Sequence, residues 1–314
     1  MFSTGDEVGG FAAFRMGHRS IMGWREAMAE LGRTVASRGE LVAAGATGRG
    51  LTSAVRGGHL IRVRRDHYAL PGLSRPIAQA VRVGGKLGCV SALQHMGIFA
   101  IKPPTTHIRL DREASRCRNP DDRRRPLTAH RSGTVLHWGD LAEPTDANDV
   151  CVSVMDALAD VVHCQPKWLA IASVDNAIFQ GFIEPYQVHD LFVGSAAKRG
   201  MARLVNGRAE AGQESVLRGI AHEAGWDYEI QASFEGVGRV DTFIEGLAVA
   251  EADSRLAHDG WSLHVKDRNR DLALAALGFP SVRPVFNRII YTPRDVERAI
   301  AGLLSIQSRF RTYN

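Results

Sequence analysis

Apolar residues near the front of the chain recur with helical spacing and then switch to strand alternation. Trp24, Met28 and Leu31 stand at i, i+4 and i+7, which predicts an amphipathic helix. Ser37 is placed to cap a second short helix that holds Leu41 and Val42 and stops at Gly45. Thr47 is placed to cap a third. Leu51 and Val55 would face in, Arg49, Thr52, Ser53 and Arg56 would face out, and Gly57-Gly58 would end it. From 60 onward Ile61 and Val63 alternate with Arg62 and Arg64, the pattern of a half-buried strand with a basic outer face. Asp66-His67 reads as the tip of the ribbon, and Pro71-Gly72 breaks it. Residues 1–20 are rich in glycine and small residues without periodicity, which predicts a flexible start, with Met16 or Met22 as alternative initiators.

Further on, 77–83 and 89–97 read as short helices, and 106–110, 128–131 and 135–138 as strands. The loop 112–125 is basic. Residues 147–208 read as mainly helical (149–162, 168–179 and a start at 188), a connecting layer without chemistry of its own. His163-Cys164 reads as packing. The last hundred residues alternate helix and strand: a helix over 214–225, strands over 228–234, 238–244 and 247–253, a helix through 267–278, a strand over 281–286 and a final helix over 293–304. The domain division this predicts is 1–20, 21–75, 76–212 and 213–314, in a multi-domain α/β protein.

The 314 residues carry a net charge of +5, and that sum hides a split. Residues 1–135 hold 22 Lys and Arg against 10 Asp and Glu, whereas 136–314 hold 17 against 24. Nearly all the basic residues of the first part are arginines, whose planar fork suits phosphate and base edges. A basic front on an acidic back points to a nucleic-acid reader joined to a different module. Three helices followed by a basic ribbon is the order of a winged helix-turn-helix. Its third helix fits the major groove. Arg49 and Arg56 on that helix, with Arg62, Arg64 and Arg65 on the wing, are the candidate DNA contacts.

No apolar run approaches the roughly 18 residues that span a bilayer, and no secretory pattern opens the chain. The expected compartment is the cytoplasm, with no membrane partner. Four cysteines, Cys89, Cys117, Cys151 and Cys164, lack close spacing, so neither a disulfide framework nor a structural zinc site is expected.

The C-terminal pattern carries the candidate chemistry. Asp241 lies mid-strand, and Glu251 and Asp253, two apart on the next strand, share a face. Glu214 comes from the preceding helix. Carboxylates converging without basic neighbours repel one another unless a divalent cation sits among them, and all-oxygen ligands favour Mg²⁺ or Mn²⁺. Such an ion activates water and stabilises charge on a phosphodiester.

The ordered set Glu214-Ser215, Arg239-Val240-Asp241, Glu251-Ala252-Asp253, His258, Asp267-Arg268-Asn269-Arg270-Asp271 and Leu274 with Gly278 resembles the PD-(D/E)XK nuclease-like domains related to the very-short-patch mismatch endonuclease. The match covers about the last third of the chain. Residues 34–70 resemble the winged-helix domain of AbiEi-type antitoxins. The similar pieces are GELVAAG (39–45), AVRGGHLIRVRRDHYALPG (54–72) and SALQHMGI (91–98). The resemblances imply a restriction-endonuclease-like α/β sandwich behind a DNA reader. Asp241 and Glu251 would bind the metal, with Asp253 and Glu214 completing the catalytic set and His258 a candidate acid. The lysine of the family signature is Asp253 here, and the glycine that usually follows is Ser254.

Two readings stay open. One is a Mg²⁺- or Mn²⁺-dependent endonuclease acting on double-stranded DNA in host defence or repair. The other is a DNA-binding repressor, the antitoxin of a cognate toxin, with an inactive nuclease fold and a possible homodimeric state. RNA substrates or a structural role make up the remainder.

Overall fold

The computed structural model describes residues 23–101, 104–128, 133–253 and 261–311, with side chains at 261–264, 266 and 308–311 excepted. The flexible start expected over 1–20, both alternative initiators and His258 lie outside the described residues. The chain divides into two compact units, one ending at Leu73 and the other beginning at Ser74.

In the first unit, α1 (Trp24–Leu31) ends at Gly32, which takes the left-handed conformation (φ 58°) a side chain would resist. A short strand β1 (Val35–Ser37) follows. Ser37 then caps α2 (Arg38–Ala43) with a full capping box: its Oγ accepts from the Glu40 N–H at 3.1 Å, and its own N–H donates to Glu40 Oε2 at 2.8 Å. Thr47 caps α3 (Gly48–Arg56), accepting from the Gly50 N–H at 3.0 Å. The ribbon is β2 (Ile61–Arg64) and β3 (His67–Ala69), and β3 pairs antiparallel with both β1 and β2. Met28, Leu41, Leu51, Ala54, Leu60 and Tyr68 form the core.

Of the two apolar residues read onto α2, Leu41 is buried and Val42 is 47% exposed, because the single turn and a half of α2 presents only Leu41 to the core. The ribbon tip is Arg65-Asp66 rather than Asp66-His67. His67 already pairs with Ser37 and Arg64, and Asp66 takes φ 60° while its carbonyl accepts from the Arg38 N–H. Strand β1 was not foreseen, since three residues between two helices give no periodic signal.

The second unit opens with α4 (Arg75–Val83), β4 (Lys86–Leu87), α5 (Cys89–Met96), β5 (Thr106–Leu110) and β6 (Thr134–Trp138). Strand β5 sits centrally, antiparallel to β4 and parallel to β6. Thr128, expected in a strand, is outside any strand, and 129–131 lie outside the described residues. Helix α6 (Val154–Cys164) starts five residues later than expected. Val150 and Val152 instead run extended and bond to Leu87, and Ser153 caps the helix through the Asp156 N–H.

Next come α7 (Lys167–Phe179), α8 (Val188–Leu191), α9 (Ala196–Ala202) and α10 (Gly212–Glu223). Helices α7 and α10 approach so closely that a Cβ on Gly219 would lie 2.3 Å from the Trp168 ring. A buried ion pair crosses this contact: Arg218 Nη2 donates to Asp175 Oδ2 at 2.8 Å. Ser215 Oγ donates to the same oxygen at 2.6 Å, and the N–H groups of Asn206 and Gly207 donate to Oδ1 at 2.7 and 3.1 Å. Arg218 also donates to the Leu204 carbonyl at 2.8 Å.

The chain ends with β7 (Tyr228–Phe234), β8 (Gly238–Ile244), β9 (Ala248–Ala250), α11 (Trp261–Ala276), β10 (Ser281–Val282), α12 (Phe286–Tyr291) and α13 (Pro293–Arg311). The sheet order is β10-β9-β8-β7, antiparallel except for the parallel β9–β10 pair. One face of the sheet buries Ile244, Ala248 and Ala250 against α10, α12 and α13, through Leu217, Ile289 and Ile300. The other buries Val249 and Val240 against Leu274 of α11 and a cluster of Phe234, Phe243 and Phe279. The expected strand over 281–286 is only two residues long, because α12 begins at Phe286.

Ala172 of α7 belongs to the same core as α10 and the sheet. The division expected at 212/213 therefore runs through a shared interior. The architecture is mixed α/β, and no helix among the described residues is long and apolar enough to cross a membrane.

Arg218→Leu leaves Asp175 charged and unpaired in the interior. Urea unfolding is expected to register a loss of roughly 3–5 kcal/mol. Gly219→Ala improves helix propensity by about 1 kcal/mol, yet it is expected to lower the melting temperature because the Trp168 ring cannot yield. A rise would show that the two helices separate easily.

Candidate functional site

A polar cleft of about 410 Å³ lies beside the C-terminal sheet, lined in part by Glu210, Glu214, Asp241, Glu251, Asp253 and Arg283. The four carboxylates singled out in the sequence thus reach one cavity from three places. Asp241 comes from the middle of β8. Glu251 and Asp253 come from the chain leaving β9, which keeps bonding to the partner strand through Glu251 N–H to Val282 O and Asp253 N–H to Pro284 O. That continued extended path puts both on the cleft, as their spacing predicts. Glu214 comes from the first turn of α10, and the Asp175–Arg218 pair one turn later fixes that helix.

Glu214 and Asp241 form the acidic half. Glu214 accepts from the Ala211 N–H through Oε1 at 3.0 Å, and through Oε2 from the Glu210 N–H and Gln231 Nε2, both at 3.1 Å. Gln231 lies opposite Asp241 in the β7–β8 hairpin and adopts φ 55°. A left-handed non-glycine residue costs on the order of 1 kcal/mol. Here that conformation accompanies a side chain that reaches Glu214. Burial, followed by the charge of Asp241, pushes the Glu214 carboxyl up to about 7. Burial also raises Asp241, although its Oδ2 accepts from the Ala252 N–H at 2.8 Å.

The other half is neutralised by arginine. Glu251 is 6% exposed, and its two oxygens face Arg270 Nη2 at 2.6 Å and Arg283 Nη2 at 2.5 Å. Arg283 also pairs with Asp271 at 2.7 Å and Asp267 at 3.5 Å. Arg239 pairs with Glu210, and Arg270 donates to the Arg239 carbonyl. The expectation of carboxylates converging without basic neighbours is therefore corrected: guanidinium groups hold Glu251, one of the two predicted metal ligands. Arg283 was not among the sequence candidates, since it follows a two-residue strand and belongs to no spaced pattern.

In the N-terminal unit, Arg49 and Arg56 on α3 and Arg65 at the ribbon tip are exposed, as are Thr52 and Ser53. Arg62 and Arg64 on β2 are half-buried, and Arg62 Nε is buried without a hydrogen-bond partner.

A second group of donors was missed. Cys89, His107, His137 and Cys164 bring one ligand atom each to within 4.8 Å of one another, a set that can hold a metal ion. Cys164, read in the sequence as packing, is one of the four and ends a helix of the 147–208 layer. His163 itself turns away, with Nδ1 2.8 Å from the Ala159 carbonyl.

The raised Glu214 carboxyl has a thermodynamic sign. Its unfolded value is 4.5 and its folded value about 7, so its stabilising contribution is complete below pH 4.5 and is lost as pH rises through 7. Glu214→Gln is expected to remove this dependence, so the stability of the variant relative to wild type rises between pH 4.5 and 8. Parallel stability curves for the two proteins would contradict the shift.

No protein-family model matches this chain, and no curated protein matches it.

Proposed function

We propose that the chain is a DNA-binding protein whose C-terminal cleft hydrolyses phosphodiester bonds with Mg²⁺ or Mn²⁺. The observation that carries this reading is the pair Glu214–Asp241: two carboxyls lining one polar cleft and held above their ordinary range, Glu214 by burial and the charge of Asp241, and Asp241 by burial. A divalent cation is the partner that relieves both penalties, and hard oxygen donors suit it. Asp241 and Glu214, with Asp253 across the cleft, would hold the ion. When bound, it would activate water and stabilise charge on the phosphate. Glu251 acts through its arginines, fixing Arg270 and Arg283 at the wall where a phosphate would lie. Asp253 stands where the resembled family carries lysine, and these guanidinium groups supply positive charge in its place.

The N-terminal unit supports the DNA half of the reading. Its order α1-β1-α2-α3-β2-β3, with β3 between β1 and β2, supports the reading of a winged helix-turn-helix. Helix α3 carries Arg49, Thr52, Ser53 and Arg56 on its exposed face, and Arg62, Arg64 and Arg65 lie along the wing. The substrate proposed is double-stranded DNA.

A second reading rests on the double clamp of Glu251. A nuclease fold whose second acidic ligand is neutralised by arginines, and whose lysine is an aspartate, suits a repressor that keeps the fold for DNA and protein contacts. A homodimer and a cognate toxin would be its partners.

Supercoiled plasmid incubated with the protein is expected to be nicked with Mg²⁺ or Mn²⁺ and left intact with EDTA. Asp241→Ala is expected to abolish nicking and retain the gel shift on duplex DNA. A gel shift without cleavage in either metal, on plain, mismatched and modified duplexes, would establish the repressor reading. In both readings, Arg64→Ala with Arg65→Ala is expected to weaken DNA binding across sequences and to reduce its salt slope by roughly one per lost phosphate contact. An unchanged slope would remove the wing from the interface.

A further inference from the structure

Cys89, His107, His137 and Cys164 come from four separate elements of the second unit: the first residue of α5, strand β5, strand β6 and the last residue of α6. The four are spread over 76 positions, yet their ligand atoms lie within 4.8 Å of one another. His107 Nδ1 is 3.1 Å from His137 Nε2 and 3.8 Å from Cys164 Sγ. A tetrahedral zinc with bonds of about 2.0 Å to nitrogen and 2.3 Å to sulfur has ligand–ligand edges of roughly 3.3 Å (N–N) and 3.6 Å (N–S). The observed separations straddle those edges.

The surroundings are also those of a metal site. His137 presents Nε2 to the cluster and has Nδ1 3.8 Å from Asp160 Oδ1. Asp160 is 8% exposed, pairs with Arg109 Nη1 at 2.5 Å and keeps Oδ2 buried without a hydrogen-bond partner. At 3.8 Å the carboxylate does not hydrogen-bond the ring, but its negative charge faces the outer nitrogen of His137. Cys89 adopts φ 49°, a conformation costly for a non-glycine residue. Gly88 before it admits the close approach of β5, because a Cβ there would lie 2.9 Å from the Arg109 Cβ. The His107 N–H donates to Ser91 Oγ at 2.9 Å, tying β5 to α5 beside the cluster.

We propose that these four residues bind one zinc ion as a closed structural site that staples α5, β5, β6 and α6. Two soft thiolates and two imidazoles in tetrahedral reach select zinc over the hard cations expected of the carboxylate cleft. Two thiolates also cancel the ion's charge, which suits a largely buried site. Binding must displace the thiol protons, so affinity falls as pH falls. Four protein ligands leave no open position, so the ion here is structural and separate from hydrolysis.

The full-length protein is to be purified under reducing conditions without added metal and its zinc measured by mass spectrometry. The protein stripped of zinc is then to be reloaded with Co²⁺. The expected result is one zinc per chain, and for cobalt the intense visible bands of a tetrahedral site with a sulfur-to-metal charge-transfer band. Cys164→Ser, at the solvent-facing edge of the cluster, is expected to lower zinc affinity at least tenfold and to weaken the charge-transfer band while circular dichroism stays native. His163→Gln, whose ring points elsewhere, is expected to retain full zinc. Substoichiometric zinc even after its addition, an octahedral cobalt spectrum, or an unchanged spectrum in Cys164→Ser would overturn the site. The wild-type cobalt spectrum decides the question even if a variant fails to fold.

Discussion

The Asp175 carboxylate is wholly withdrawn from water, and its oxygens are met by Arg218, Ser215 and two backbone N–H groups. An ion pair so buried is tolerable only because its remaining lone pairs are satisfied. That condition ties three parts of the chain at once: α7 supplies the acid, α10 the base and hydroxyl, and residues 204–207 the backbone partners. Helix α10 carries Glu214 one turn before this anchor. The rotation of α10 about its own axis, and with it the reach of Glu214 toward Asp241, follows from a network in which the carboxylate itself takes no part.

The cleft is organised by an unequal distribution of charge. On one wall, guanidinium groups meet Glu251, Asp267 and Asp271, so those carboxylates are compensated within the fold. On the other, burial and the charge of Asp241 raise Glu214, and the groups that bond Glu214 are backbone N–H groups and an amide. Burial raises both Asp241 and Glu251, but their direct partners differ: two guanidinium groups meet Glu251, and the Ala252 N–H donates to Asp241.

The donor cluster of Cys89, His107, His137 and Cys164 has a different origin. Its parallel β5–β6 pairing sets Thr106 opposite Thr134 and so brings His107 opposite Val135, next to the strand position of His137. Helices α5 and α6 then deliver their terminal cysteines from either side. Close sequence spacing, the usual signature of such a site, is absent because each ligand belongs to a different element.

Much was legible in the sequence where the physics is local. The caps at Ser37 and Thr47, the strands β7 and β8 and the helical spacing around Trp24 each depend on a few neighbouring residues, and the structure has them as read. The convergence of Glu214, Asp241, Glu251 and Asp253 was legible because two-residue strand periodicity and the order of elements constrain which side chains share a face. What local pattern could not contain is the partner across a tertiary contact. Arg283 reaches Glu251 from just beyond a two-residue strand, Asp175 reaches Arg218 from another helix, and the four Cys and His side chains meet only when two strands pair in parallel. Periodicity determines which face a residue occupies, but the charge compensation and metal chemistry of that face depend on distances between segments that only the folded chain brings together.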